Sequence, residues 1–166
     1  ILAVGMISMQ GSVSNNVFDN QDKLIEGVST FSYPGSIPGP IALLSKNARA
    51  IAIGIDGNGA AHPAIATATY GKGRIIAFSH GAFLSKPTAT EPSGRRMLTN
   101  ALQWLSKGRK RILFVSVGKT EAGTVASDLG YQILNVTEKE LADKLRTADI
   151  ALVQYDLEKQ NVKPLV

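Results

Sequence analysis

From residue 111 onward the sequence alternates strand-like and helix-like stretches at short intervals, and this rhythm restricts the fold more than any other feature. Residues 111–117 form a β-branched and aromatic run, residues 120–129 have helical character closed by Gly130, and residues 131–136 are a second apolar run. Thr137 and Glu140 make a capping-box pattern for a helix over 138–147, and residues 148–155 supply a third strand. Such βαβαβ order requires parallel strands joined by right-handed crossovers. The third strand is apolar through Ile150, Ala151, Leu152 and Val153, so both of its faces need cover. Two helices would shield one face, leaving the other to residues 1–106, to a segment beyond Val166 or to another chain. The unit over 111–166 is therefore read as truncated, part of a longer protein.

Upstream the pattern is antiparallel. Residues 48–55 set Arg49, Ile51, Ile53 and Ile55 against Ala50, Ala52 and Gly54, a period-2 strand with one small-residue face. Asp56-Gly57-Asn58-Gly59 is a hairpin signal. Residues 64–70 read as the next strand, Gly71-Lys72-Gly73 as a second tight turn and residues 74–79 as a third strand. An antiparallel meander over 48–79 is expected. A helix over 93–106 follows, with Met97, Leu98, Ala101, Leu102 and Leu105 on one face and Gly108 as its stop. Trp104 stands beside that face and is expected to pack on the sheet.

The beginning of the chain is less regular. Residues 11–22 are polar and loop-like, a short helix is expected over 22–27, and the three prolines of residues 33–40 forbid regular structure there. Ile1-Leu2-Ala3-Val4-Gly5-Met6-Ile7-Ser8-Met9 is a short buried strand on the plainer reading, or the apolar core of a secretion signal without its charged start. The chain thus divides into an N-terminal strand or flexible arm over 1–21, a meander-plus-helix part over 22–110 and the parallel part over 111–166.

With 166 residues, 44% of them hydrophobic, one domain can bury roughly 70% of its unfolded surface, which excludes a disordered chain. Zero cysteines exclude a disulfide scaffold, a thiolate zinc site and a Cys nucleophile. No apolar run approaches the roughly 20 residues of a membrane span, so no transmembrane segment is expected. Secreted and cytoplasmic settings both stay open, the apolar N-terminus leaning toward secretion. The net charge of +5 has a local excess at Lys107, Arg109, Lys110 and Arg111, with Arg95 and Arg96 upstream. Such a cluster can hold phosphates. Five Phe, four Tyr and one Trp make up all the aromatics, and none is interleaved with the cluster, so nucleic acid is not an expected partner. Cations facing the dipole of a helix C-terminus are the simpler account.

Two places carry residues suited to chemistry. Gly118-Lys119-Thr120 follows a strand and opens a helix, where a phosphate loop belongs, but the glycine needed five positions earlier is Leu113. Half a motif remains, an anion-binding candidate through free helix amides. His80, with Ser79 before it and Ser85 nearby, is placed just beyond a strand, as a general base would be. The plainer reading of His80 is a structural hydrogen-bonded residue. Adjacent Ser79 and His80 on extended backbone would point to opposite faces, which disfavours a serine hydrolase. The only other histidine, His62, lies in an expected turn before Pro63, and no metal site or cofactor is expected.

Two segments carry a family resemblance. Tyr70-Gly71-Lys72-Gly73-Arg74-Ile75-Ile76-Ala77-Phe78-Ser79-His80, followed by Leu98-Thr99-Asn100-Ala101-Leu102-Gln103-Trp104-Leu105, resembles the closing portion of class I glutamine-amidotransferase-like domains. The wider order adds Leu24-Ile25-Glu26-Gly27-Val28 at the start and the fresh βαβαβ at the end. Over about residues 22–157 that order is similar to the N-terminal region of the TRP-channel-associated factor family and its M60-like peptidase relatives. The resemblance implies a three-layer α/β, flavodoxin-like fold, with the antiparallel meander beside the parallel unit. It also implies lost catalysis. Amidotransferases of this class use a Cys, a His and an acid two residues after that His. Here Cys is absent, and with His80 as the His the acid position is Ala82. The His-Glu-x-x-His of M60-like peptidases belongs to a later domain and does not occur in this chain. The expectation is a non-catalytic binding or positioning module whose partner is a protein or a downstream domain. The alternative is a hydrolase of unrecognised type using His80 with a nearby serine.

Overall fold

The computed structural model describes residues 2–8, 22–29, 39–55 and 58–156; the expected loop at 11–21, most of the proline-rich stretch and the Asp56-Gly57 corner lie outside them. Strand β1 (Leu2–Ser8) comes first, followed by a 3-10 turn at Asp22–Leu24 in place of the expected short helix. The meander runs as β2 (Arg49–Ile55), β3 (Ala61–Tyr70) and β4 (Gly73–Phe78), paired antiparallel in sequence order as expected. Gly71 turns β3 into β4 at φ +56°, a backbone that side chains rarely adopt.

β3 begins at Ala61, so His62 and Pro63 belong to a strand and not to the turn that the proline suggested. The reason is local. β4 pairs only with residues 65–70 of β3, so at Pro63 no neighbouring strand on that side needs an N–H. The Pro63 carbonyl instead accepts from the Ile41 N–H at 3.1 Å.

After β4 come a 3-10 turn (Gly81–Leu84) and a short helix, α1 (Lys86–Thr90), neither of which the sequence pattern announces. Helix α2 (Pro92–Ser106) follows its expected span within one residue, with Met97, Leu98, Ala101, Leu102 and Leu105 all buried. Glu91 caps its start, its carboxylate accepting from Ser93 N at 3.1 Å and Gly94 N at 2.6 Å. Gly108 stands just past its end at φ 74°, as expected of a stop, and Lys107 before it is left-handed as well, at φ 55°.

The parallel unit is β5 (Leu113–Val117), α3 (Glu121–Asp128), β6 (Gln132–Val136), α4 (Glu138–Leu145) and β7 (Ile150–Asp156). β5 pairs parallel with β6 on one side and with β7 on the other. Strand order across the whole seven-stranded sheet is β2-β3-β4-β1-β7-β5-β6, with β1 antiparallel to both β4 and β7. The first segment of the chain therefore joins the two halves into one sheet.

Placing β5 between β6 and β7 makes the two crossovers run in opposite directions. With right-handed connections that puts α3 and α4 on opposite faces, which corrects the expectation that both would shield one face. The packing agrees. Phe114, Ile150, Leu152, Ala122 and Val125 join Ile65, Ile76, Phe78 and the apolar face of α2 in the main core. Val115, Val136, Ala148 and Ala151 form a second cluster, against Leu141 and Leu145 of α4. Ile150 at 0% and Ala151 at 2% exposure show that both faces of the start of β7 are covered within this chain. Each fully buried Leu, Ile or Phe contributes about 1.5–3 kcal/mol relative to exposure.

Candidate functional site

The corner after β4 was the first candidate for chemistry. Ser79 is 4% exposed; its N–H donates to the Ala64 carbonyl at 2.9 Å, and its Oγ has no partner among the described residues. His80 is half-buried with extended backbone, and its Nδ1 accepts the Ala82 N–H at 3.0 Å, capping the 3-10 turn. Ser85 Oγ and Thr88 Oγ1 both donate to the Ala82 carbonyl, at 2.7 and 2.9 Å. Among the described residues neither candidate serine is hydrogen-bonded to the imidazole: Ser79 Oγ is buried without a partner and Ser85 Oγ donates to a backbone carbonyl. A base must reach its nucleophile and be oriented by a third group. Among the described residues no carboxylate forms an ion pair with His80, and Ala82 meets the imidazole through its backbone. His80 shapes a turn.

Gly118, Lys119 and Thr120 lie at the C-terminal end of β5, beside the point where the crossovers change direction. Ligands of open α/β sheets gather at such points. Here the loop is largely self-satisfied. Gly118, at φ 63°, donates to the Val136 carbonyl at 3.0 Å and accepts from Ser116 Oγ at 3.0 Å. Thr120 Oγ1 accepts the Gly123 N–H at 3.0 Å, and Glu121 places a carboxylate in the first helical turn. An anion at this end would compete with the hydroxyl and meet a like charge. Lys119 is exposed.

A third place emerges only in three dimensions. At the C-terminal end of α2 a cavity of about 910 Å³ is lined by five cationic side chains, Lys23, Arg74, Lys107, Arg109 and Lys110, and by the single carboxylate of Glu26. The two segments that carried the sequence resemblance meet here. Arg74 stacks its guanidinium 4.8 Å from the centroid of the Trp104 ring and donates through Nη1 to the Trp104 carbonyl. Lys107 Nζ donates to the Lys72 carbonyl at 3.0 Å. Arg109 Nε donates to the Ser106 carbonyl at 3.2 Å, and its Nη1 pairs with Asp149 Oδ1 at 2.8 Å. Cations thus do face the open carbonyls of the helix end, as the charge pattern implied.

Asn100, on the same helix, fixes one wall. Its Nδ2 donates to the carbonyls of Leu24 at 3.1 Å and Glu26 at 2.9 Å, tying the early 3-10 turn to α2 and setting Lys23 and Glu26 at the cavity. Trp104 is 5% exposed, buried as expected, yet it also borders the cavity. Burial lowers the Arg74 guanidinium from its ordinary value, and Lys107 is lowered by burial first and then by Arg74 and Arg109. The basic run at 107–111 was legible in sequence. Its meeting with Lys23 and Arg74 was not, because Lys23 sits in the early 3-10 turn and Arg74 at the start of β4, far from the run in sequence.

Among the described residues no group of three or more His, Asp or Glu could hold a metal, and no helix is long and apolar enough to cross a membrane. No solved structure matches the chain. A family model described as "TRPM8, N-terminal domain" matches residues 3–158. A zebrafish (Danio rerio) TRPM8 channel-associated factor homolog is 31% identical over 121 residues, 72% of this chain and 12% of that protein. The bovine (Bos taurus) TRPM8 channel-associated factor 2 is 28% identical over 129 residues, 78% of this chain and 13% of its own length. A mouse (Mus musculus) TRPM8 channel-associated factor 2 is 35% identical over 92 residues, 55% of this chain and 9% of its own. The chain therefore spans a small fraction of each of these relatives. A model that covers nearly all of it places this chain in the TRPM8 channel-associated factor N-terminal-domain family.

Proposed function

We propose that this chain is a non-catalytic binding and positioning module of a longer protein of the channel-associated-factor type, acting on a protein partner. The observation that carries the reading is the state of His80: its Nδ1 is spent on its own turn, with no serine or carboxylate bonded to it among the described residues. On this reading an amidotransferase-like scaffold, with no Cys and an alanine where an acid would stand, keeps its shape without its chemistry. The strand order β6-β5-β7 and the paired motifs around Arg74 and Trp104 support that scaffold, and kinship with M60-like proteins belongs to the same reading. The relatives' names point to TRPM8 channels as the partner class.

The test has two arms. Surface plasmon resonance of the 166-residue chain against a detergent-solubilised TRPM8 channel should show saturable binding. Incubation with glutamine and with activated esters should show no turnover above buffer. Ammonia or ester release that disappears in both His80→Ala and Ser79→Ala would overturn the non-catalytic reading.

A further inference from the structure

The cavity at the end of α2 holds more positive charge than its internal contacts use. Lys107 is committed to the Lys72 carbonyl, Arg74 to the Trp104 carbonyl, and two of the three Arg109 nitrogens to Ser106 and Asp149. Two cations are left over. Lys23 and Lys110 line the cavity, are exposed, and make no hydrogen bond or ion pair among the described residues. Glu26 is the one carboxylate on the lining, against five cations. What is missing is a negatively charged group with several acceptor oxygens.

We infer that this cavity binds a phosphate group carried by a small molecule or a lipid headgroup. Lys107, with two N–H donors beyond its bond to the Lys72 carbonyl, and the exposed Lys23 and Lys110 supply charge-assisted bonds, while Arg74 and Arg109 add to the field. A volume of about 910 Å³ exceeds what a single phosphate fills and falls within the range of small-molecule sites, so the ligand extends beyond its phosphate. Arg74 already covers a face of the Trp104 ring, so stacking of a base on that face is not part of the recognition. Lys107 bears on the same point. It is the one non-glycine residue with positive φ among the described residues, a backbone that costs about 1–2 kcal/mol for a side chain with a Cβ. A glycine stands immediately after it, so the strained position holds a lysine that helix capping alone would not select.

The experiment is isothermal titration of the 166-residue chain with inorganic phosphate and with inositol hexakisphosphate, at constant ionic strength in chloride. Flotation with vesicles of phosphatidylcholine, with and without phosphatidic acid, tests the lipid source. One saturable site is expected, weakened about tenfold in Lys107→Gln, a change of about 1.4 kcal/mol. Arg74→Gln should weaken it likewise, and Lys139→Gln on the exposed face of α4 should not. Lys107→Gly guards against misfolding, because it relieves the backbone strain while removing the charge, and it should lose affinity like Lys107→Gln. Binding of the soluble phosphates assigns a small-molecule source; flotation alone, lost in both Lys107 variants, assigns a headgroup. No binding in any arm, or binding that survives in both Lys107 variants and in Arg74→Gln, would overturn the inference.

Discussion

Gly94→Ala is the sharpest test of how α1 is seated on α2. A Cβ built at Gly94 would lie 2.2 Å from the Thr88 carbonyl oxygen, 2.7 Å from Thr88 Cγ2 and 3.0 Å from the Thr88 carbonyl carbon. Ordinary carbon–oxygen contact is about 1 Å longer than the shortest of these, and the obstacle is backbone, so a rotamer change cannot relieve it. Thr88 is itself held, at 1% exposure, by its Oγ1 bond to the Ala82 carbonyl. Moving it disturbs the corner that follows β4. Overpacking of this kind costs about 3 kcal/mol, at the upper end of the usual range. Alanine returns about 1 kcal/mol of helix propensity. The net loss is about 2 kcal/mol, which for a chain of this length lowers Tm by roughly 4–8 °C. Gly123→Ala in α3 is the matched control. Its Cβ would meet the Thr120 hydroxyl at 3.2 Å, and the same propensity gain should keep its effect within about 1 kcal/mol of zero. Differential scanning calorimetry of both variants decides the matter. A Gly94→Ala protein that melts at or above the parent temperature would refute the close approach of the two helices.

Asn100→Ala removes two bonds to main-chain carbonyls and should cost about 1–3 kcal/mol in urea unfolding, with faster amide exchange around residues 24–28. Trp104→Ala empties a buried site and should cost about 3–5 kcal/mol; an unchanged urea midpoint would show that the ring adds nothing to the core. Glu140 Oε2 accepts from the Thr137 N–H at 2.9 Å and the Thr137 hydroxyl at 2.8 Å, and the backbone bond holds its carboxyl below the usual carboxylate range. A depressed folded-state pKa stabilises above the unfolded value and is lost as pH falls through the folded one. Unfolding of Glu140→Gln at neutral and acidic pH should therefore show a shallower loss of stability in acid than the parent, and equal slopes would count against the cap.

What the sequence made legible was local. The parallel unit shows because each strand and helix is marked by its own run, its glycine stop or its capping pair, as at Gly130 and Thr137–Glu140. The meander shows because Gly71 can turn where few residues can. Strand order is decided by pairings such as Val4 with Phe78 and with Gln154, and no local pattern encodes those. The same gap led both crossover helices to be placed on one face, since that choice depends on whether β7 lands beside β5 or β6. Pro63 misled because proline argues against a strand only where the neighbour on its N–H side needs that donor. The cavity was half visible, as a basic run after a helix, while its other cations sit at the start of β4 and in an early 3-10 turn, far from that run in sequence.

The antiparallel strand at the centre of the sheet has a consequence for the order of folding. β1 is made before the other described strands, yet one of its partners is β7, the last of them. Until β7 is made, β1 can pair only with β4, and its other edge stays an open template for any extended segment nearby. The parallel unit faces the mirror problem, with one side of β7 unpaired until β1 arrives. Closure of the sheet is thus a late, long-range event whose loop entropy must be met before the two halves reward each other. Neither half gains a finished edge on its own, so strand exchange between copies at this seam is the failure mode that the topology invites.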